Sequence, residues 1–257
     1  MATIEARQYG NLLREFTICG FKLRDQGSVL GFVWTLLHPL LLLLVLSLLF
    51  SQRLAEDIRH PTLYLLIGIV HWSFFSTATS KAVNSIAARE DLVRNVPFPR
   101  EILVLADVGT VLISFVLEVG VLFLFVFASG VPVQWTWLLL PAVIAIQAVF
   151  VTGVALALAC ARVFVRDIER VWTIVLRIGF FCVPIFYTSA ILTTDLQRWI
   201  FACNPLAQLM GFSRSLLIDG RVPAFGWLGY ALAVSAGVLG VGLFLFKRLE
   251  RAFPERL

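Results

Sequence analysis

Charged residues are scarce in this chain. Asp, Glu, Lys and Arg make up 14% of its 257 residues, whereas a soluble domain carries roughly 25%. Hydrophobic residues account for 60%, and the mean hydropathy is +0.91. So few charges cannot cover the surface of a globular protein of this size, so the composition argues against a soluble domain. It predicts that most of the chain lies in lipid.

Motifs for nucleotide binding and catalysis are also missing. The sequence has no GxxxxGK[ST] loop, so it offers no means of binding ATP through that motif. It contains no HExxH pair, no nucleophile elbow and no cluster of Cys and His ligands, and the three histidines lie far apart. The four cysteines form no CxxC pair, and we interpret them as small apolar packing residues. We therefore expect a protein that is not an enzyme and holds no cofactor or metal.

Six apolar segments are each long enough to cross a bilayer. They cover about residues 32–50, 62–80, 102–128, 137–161, 171–190 and 225–246. The sequence therefore predicts an all-α integral membrane protein with six transmembrane helices. We expect a single domain over residues 1–257, with the membrane part at 29–246 and a cytoplasmic tail at 247–257.

Two further segments are apolar but carry charges. Residues 1–28 alternate apolar and charged positions at helical spacing, which predicts an amphipathic helix lying in the membrane interface. Residues 191–223 contain apolar runs too short to span a bilayer. We expect them to form re-entrant helices between the fifth and sixth spans.

Lys and Arg are unevenly distributed between the loops. They concentrate in residues 1–28, 81–100, 162–170 and 247–257, and they are sparse in the other connections. Because cytoplasmic loops carry an excess of Lys and Arg, both termini are predicted to be cytoplasmic and the re-entrant segment to lie outside. The first thirty residues carry several charges and no compact apolar core, so we expect no cleavable signal peptide.

Three ionisable residues, Asp107, Glu118 and Arg177, fall within predicted spans. Such residues are costly in lipid and mark functional or structural polar contacts. Two interpretations of Glu118 stay open. It lines a polar pathway or pairs with Arg177, or else it makes a buried structural contact between helices.

Aromatic residues form a second candidate set. Many aromatic rings in membrane proteins belong to interfacial belts, but flat ring faces also suit the C–H faces of sugars. Under the second interpretation, the candidate channel-lining residues are Glu118 and five aromatics: Trp72, Phe74, Phe75, Phe186 and Tyr187.

A short charged helix is predicted between the second and third spans. A transporter driven by a separate ATPase needs a rigid cytoplasmic element of this kind, and the alternative is an ordinary solvated loop. The candidate docking residues are Ala87, Ala88, Arg89, Glu90, Asp91, Leu92, Val93 and Arg94.

Several short motifs resemble, in order, those of the permeases of the type-2 ABC exporter family. They are GSVLGFVW at 27–34 with Pro39, VRDI at 165–168, PIFY at 184–187, and NPL at 204–206 followed by Arg214 and Gly220. The resemblance covers residues 22–221. It is closest to the branch that exports lipid-linked polysaccharides such as O antigen, capsule and teichoic acid.

The resemblance implies a homodimer that binds two copies of a separate ABC ATPase, which would hold ATP and Mg²⁺. It implies that the N-terminal helix and the 87–94 helix contact that ATPase. The substrate would be a glycan on undecaprenyl diphosphate, moved from the inner to the outer leaflet of the bacterial cytoplasmic membrane, and no nucleic acid is expected. Lys22, Arg24 and Arg89 are candidate contacts for the lipid head by charge and position.

Two alternatives stay open. Permeases that export drugs or small lipids share the same architecture. A membrane-embedded transferase acting on polyprenyl phosphate is a different class of protein, and it would require a cluster of acids to hold magnesium beside the diphosphate. Glu90 and Asp91 are an adjacent acidic pair on a predicted inner loop.

Overall fold

The computed structural model describes residues 6–24, 33–188 and 194–256. Within these ranges the chain is helical apart from short connections and contains no β-strand, which confirms the all-α prediction. The helices are α1 (Ala6–Arg24), α2 (Val33–Asp57), α3 (Pro61–Val83), α4 (Glu90–Asn95), α5 (Glu101–Ala128), α6 (Leu140–Phe164), α7 (Ile168–Cys182), α8 (Asp195–Cys203), α9 (Pro205–Arg214), α10 (Phe225–Leu249) and α11 (Phe253–Arg256).

Five of the described helices are long and apolar enough to cross a membrane, namely α2, α3, α5, α6 and α10. Four of them match predicted spans closely. Helix α2 continues beyond Phe50 to Asp57, so the charged segment predicted to form a loop there begins as helix.

The fifth predicted span corresponds to the shorter helix α7, which has 15 residues and ends at Cys182. At 1.5 Å per residue such a helix covers only about 22 Å, less than the ~30 Å hydrocarbon core. Val183 is extended, with φ −102° and ψ 141°. The following Pro184 disfavours the α conformation at Val183 and so ends the helix. The last two residues of the predicted span, 189 and 190, lie outside the described residues.

Helix α1 packs along the first half of α5. A Cβ atom on Gly20 would lie 3.0 Å from Thr110 Oγ1, and one on Gly109 would lie 3.1 Å from Thr17. Thr110 Oγ1 also donates to the Thr17 carbonyl at 3.2 Å. Small residues therefore let the two backbones approach closely. Residues 1–5 and 25–28 of the predicted amphipathic segment lie outside the described residues.

Helices α6 and α10 form the closest helix–helix contact. A Cβ atom on Gly153 would lie 2.5 Å from the Leu239 backbone nitrogen, and one on Gly242 would meet the Gly153 carbonyl oxygen. Only glycine fits at both positions. This contact holds the last long helix against the bundle.

Two short helices, α8 and α9, lie in the segment between α7 and α10. The side chain of Asn204 accepts a hydrogen bond from the Leu206 backbone nitrogen at 3.0 Å, and Pro205 occupies the first turn of α9. This is a standard start for a helix, because Asn satisfies a free N–H group and proline needs none. Neither helix is long enough to cross a bilayer.

Candidate functional site

A groove of about 540 Å³ lies between α2, α3 and α7. Its wall on α3 carries Ser73, Ser76 and Ser80, whose spacing of three and four residues places them on one helix face. Thr173 and Arg177, one turn apart on α7, line the same groove. We call these five residues the polar stripe. They form a polar surface on helices that are otherwise mainly apolar.

Aromatic rings border the polar stripe. Trp72 lines the groove, and its ring centroid lies 6.0 Å from that of Phe180. Phe186 packs against Phe180 at 5.9 Å and against Tyr187 at 5.4 Å. Phe186 and Tyr187 are half-buried. Of the five predicted aromatic residues, these three therefore lie in or beside the groove.

The other two predicted aromatics are core residues of the protomer. Phe74 is 1% exposed and stacks on Phe115 at 4.6 Å. Phe75 is buried among Trp72, Phe150 and Trp172. We therefore do not include Phe75 in the groove surface, and Phe74 contributes only to a smaller neighbouring cavity.

This smaller cavity, of about 260 Å³, contains Arg24 and Glu118. Arg24 donates to Ser114 Oγ at 2.5 Å and to Thr35 Oγ1 at 2.8 Å. Because Ser114 lies near the middle of α5, the end of α1 reaches the centre of that helix. We call this space the Glu118 cavity.

The proposed pairing of Glu118 with Arg177 is wrong. No ion pair between them occurs in the described part of the chain, since Glu118 is buried in its own cavity and Arg177 faces the groove. Arg24 and Ser73 line the Glu118 cavity instead. The sequence did not indicate this, because Arg24 is remote in the chain and belongs to the segment predicted to be interfacial.

Asp107 joins three elements. It is 2% exposed, and Arg89 binds both of its oxygens, with Nη1–Oδ2 at 2.8 Å and Nη2–Oδ1 at 3.0 Å. Lys81 Nζ lies 3.2 Å from Oδ1. The bond to Asp107 raises the pKa of Arg89. Arg89, predicted both to dock an ATPase and to contact a lipid head, is therefore engaged within the protomer.

The predicted charged helix forms, as a 3₁₀ turn at Ala87–Arg89 followed by α4. Val93 is buried beneath it, and Arg94 pairs with Glu90 at 2.8 Å. Arg100 connects the base of this element to the chain end, because it donates to the carbonyls of Val93 and Glu250. The exposed members of the predicted docking set are Ala88, Asp91 and Arg94.

The three predicted lipid-head cations have different surroundings. Lys22 is exposed. Arg24 is half-buried at the Glu118 cavity, and Arg89 is bound to Asp107. Among residues 6–24, 33–188 and 194–256, no group of His, Cys, Asp and Glu side chains could hold a metal ion.

Sequence reasoning missed the partners of Arg214. This residue is 6% exposed, and its guanidinium donates to the Tyr64 carbonyl at 3.0 and 3.2 Å and to the Ile185 carbonyl at 3.3 Å. The same group lies 3.4 Å from the Tyr64 ring centroid. A Cβ atom on Gly68 would come within 2.7 Å of Arg214 Nη2. Arg214 thus links α9 to α3 and to the segment after α7.

A second buried polar contact was also missed. His71 Nδ1 bonds Gln147 Oε1, and Gln147 Nε2 donates to the His71 carbonyl at 2.9 Å. Both residues are buried, so the pair joins α3 to α6 inside the bundle. In the sequence, the only indication of this contact was a histidine and a glutamine within otherwise apolar predicted spans.

Comparisons with known proteins agree with the resemblance seen in the motifs. The family model described as ABC-2 type transporter matches residues 14–218. The chain is 31% identical over 254 residues to the O-antigen export system permease protein RfbA of Myxococcus xanthus, covering 98% of each chain. It is 28% identical over 248 residues to the protein of that name from Klebsiella pneumoniae, covering 96% of this chain and 95% of the relative. It is 24% identical over 232 residues to the polysialic acid transport protein KpsM of Escherichia coli, covering 87% of each.

Proposed function

The chain belongs to the ABC-2 type transporter family, and we propose that it is the permease subunit of an ATP-driven exporter of lipid-linked polysaccharide. The names of its relatives, which refer to O-antigen export and polysialic acid transport, support this function. The chain itself carries out transport, and a separate ABC ATPase subunit hydrolyses ATP with Mg²⁺. The substrate is a glycan on undecaprenyl diphosphate, moved to the outer leaflet of the cytoplasmic membrane.

The polar stripe is the observation that carries the proposal. Polar and charged side chains inside membrane helices are expensive, and they mark substrate paths when they face a cavity. A glycan offers hydroxyls to Ser76, Ser80 and Arg177, and C–H faces to the rings of Trp72 and Phe180. A small apolar drug would have no use for an extended row of hydroxyls.

A homodimer would close the groove. The groove is lined by α2, α3 and α7, and α2 and α7 both present exposed apolar side chains, among them Leu44, Leu48, Ile174 and Ile178. Burying such faces against a second copy is favourable packing in a membrane as well. Two grooves facing one another would form a channel wide enough for a polymer.

The membrane arrangement proposed here has six crossings. Helix α7 and the residues that follow it make up the fifth crossing, and α8 and α9 form the re-entrant pair on the outer side. The distribution of Lys and Arg supports placing both termini in the cytoplasm. Lys22, exposed on the last turn of α1, is then the best placed of the three candidate cations to meet a diphosphate head.

The helix at residues 87–94 is the proposed ATPase contact. Its exposed residues Ala88, Asp91 and Arg94 are free to meet a partner surface, while Arg89 fixes the element to α5 through Asp107. A push on this element would therefore reach α5, and also α3 through Lys81. This arrangement couples a cytoplasmic motor to the membrane helices.

Export by a strain that lacks the native gene tests the proposal. Ser76→Leu places an apolar side chain in the polar stripe, and we expect it to reduce surface polysaccharide at normal protein levels. Ser47→Leu is a matched control, because both serines donate to a carbonyl three residues earlier and Ser47 lies on α2 outside the groove lining. Equal export by the two variants would contradict a path along the stripe. Loss of drug resistance without loss of polysaccharide would favour a drug exporter.

A further inference from the structure

We propose that the Glu118 cavity is a binding subsite for one sugar ring of the exported glycan. This inference rests on the proposed export function and places sugar recognition at a defined point of the path. The cavity of about 260 Å³ falls just below the range of pockets for drug-sized ligands, roughly 300–1,000 Å³. It therefore matches a single ring better than an oligosaccharide.

Glu118 is the strongest indication of a ligand. Its side chain is 6% exposed, and within the described part of the chain its Oε2 atom has no hydrogen-bond partner. A buried carboxyl oxygen without a hydrogen-bond partner is costly. A sugar hydroxyl is a donor of the right kind.

The rest of the lining complements a molecule with several hydroxyls. Ser73, Thr77 and His38 can each donate or accept a hydrogen bond. Arg24 is fixed by its bonds to Ser114 and Thr35, so its charge is held at the cavity wall. Donors and acceptors are thus mixed on one small surface, as the hydroxyls of a sugar require.

An aromatic surface completes the lining. Trp34, which is 54% exposed, lines the cavity. The stacked rings of Phe74 and Phe115 also line it. The C–H face of a sugar ring packs well against such rings. The cavity shares His38 and Ser73 with the groove, so a ring bound there stays next to the polar stripe.

The competing occupant is a phosphate of the lipid carrier, which Arg24 would attract. The observations favour the sugar, because Arg24 already donates to Ser114 and Thr35, and an ionised phosphate would have to displace those partners. It also leaves Oε2 without a donor. A sugar hydroxyl supplies that donor and leaves the bonds of Arg24 in place.

Protection of a single cysteine from a maleimide tests the subsite directly. The full chain, with its native cysteines replaced by Ser or Ala and Thr77→Cys added, is placed in lipid nanodiscs. Its labelling rate is measured with D-mannose, D-galactose, L-rhamnose, N-acetyl-D-glucosamine or inorganic pyrophosphate. At twice its Kd, a bound sugar is expected to slow labelling about threefold by mass action. Ser129→Cys is exposed after the end of α5 and lines neither the groove nor the cavity, so its labelling should stay unchanged.

The Glu118→Gln variant tests whether the carboxyl group of Glu118 recognises the sugar or whether the sugar only occupies the space. It keeps the shape of the side chain but replaces the carboxyl group with an amide, and it should raise the sugar concentration that gives half-maximal protection about tenfold or more. If that variant does not fold, Glu118→Asp, which withdraws the carboxylate by one methylene, should lose protection in the same way.

Three results would overturn the subsite. They are no protection by any of the sugars, protection by pyrophosphate instead, and equal sugar protection with and without the Glu118 carboxylate. None of these readouts depends on ATP or on export. A failure of export with intact sugar protection would therefore count against the proposed function alone.

Discussion

Arg89 and Asp107 form a two-point ion pair, with bonds of 2.8 and 3.0 Å, between the helical element at residues 87–94 and α5. The carboxylate is buried while the guanidinium is partly exposed. Removing one member of a buried pair leaves the other uncompensated and is strongly destabilising. The pair therefore serves as a firm attachment for the element that we propose contacts the ATPase.

Asp107→Asn should break this attachment. The two cations Arg89 and Lys81 would lose their common partner, and we expect a loss of about 3 kcal/mol in stability. Thermal unfolding in detergent measures it, and Asp167→Asn is the matched control. Asp167 pairs with Arg170 at 3.8 Å on the surface, so its loss should cost less than about 1 kcal/mol. Equal melting temperatures for the two variants would contradict a structural role for Asp107.

In the assembled exporter, Arg89→Lys should separate ATP hydrolysis from export. Lysine keeps the charge but cannot bind both oxygens of Asp107. We expect ATPase activity to persist while export per ATP falls. A proportional fall of both quantities would indicate simple loss of active complex, and unchanged export would remove the pair from the coupling path.

Gly153→Ala should loosen the contact between α6 and α10. The new Cβ atom would lie 2.5 Å from the Leu239 backbone, and overpacking of this kind costs about 1–3 kcal/mol. Gly237→Ala on α10 is the control, because its Cβ atom would meet nothing within 4 Å. The control should be neutral or slightly stabilising, since alanine favours helix. A drop of similar size in both would point to helix propensity rather than packing.

Arg214→Lys should weaken the attachment of α9. Lysine cannot reproduce the three bonds to the Tyr64 and Ile185 carbonyls together with the ring contact, and we expect a loss of about 2 kcal/mol. Arg221→Lys is the control, since Arg221 is exposed. Limited proteolysis between α7 and α10 reads out the effect. Equal cleavage rates in both variants would show that Arg214 does not hold this segment.

The sequence was sufficient where a single local signal determined the structure. A long, mainly apolar run predicted a span at 102–128, and α5 covers Glu101–Ala128. The Asn-Pro-Leu motif begins α9 through an ordinary cap. The family followed from several weak motifs in order, and the match to the family model confirms it.

The sequence alone did not indicate which residues from distant parts of the chain lie together. Glu118 has several cations at plausible depth, and only the packing of α1 on α5 brings Arg24 rather than Arg177 into its cavity. Phe74 and Phe75 are aromatic residues of the same segment as Trp72, yet the rotation of α3 places only Trp72 in the groove lining. Helical period alone could not determine that rotation, because most positions of α3 are apolar or small.

The most direct measurement is transport by the purified chain and its ABC ATPase in proteoliposomes. Undecaprenyl diphosphate-linked glycan is supplied on the ATPase side, and its appearance on the opposite face is followed with a lectin that cannot cross the membrane. The account predicts transfer that requires ATP and is reduced by Ser76→Leu but not by Ser47→Leu. A complex that hydrolyses ATP without moving the glycan, and responds to small amphiphiles instead, would contradict it.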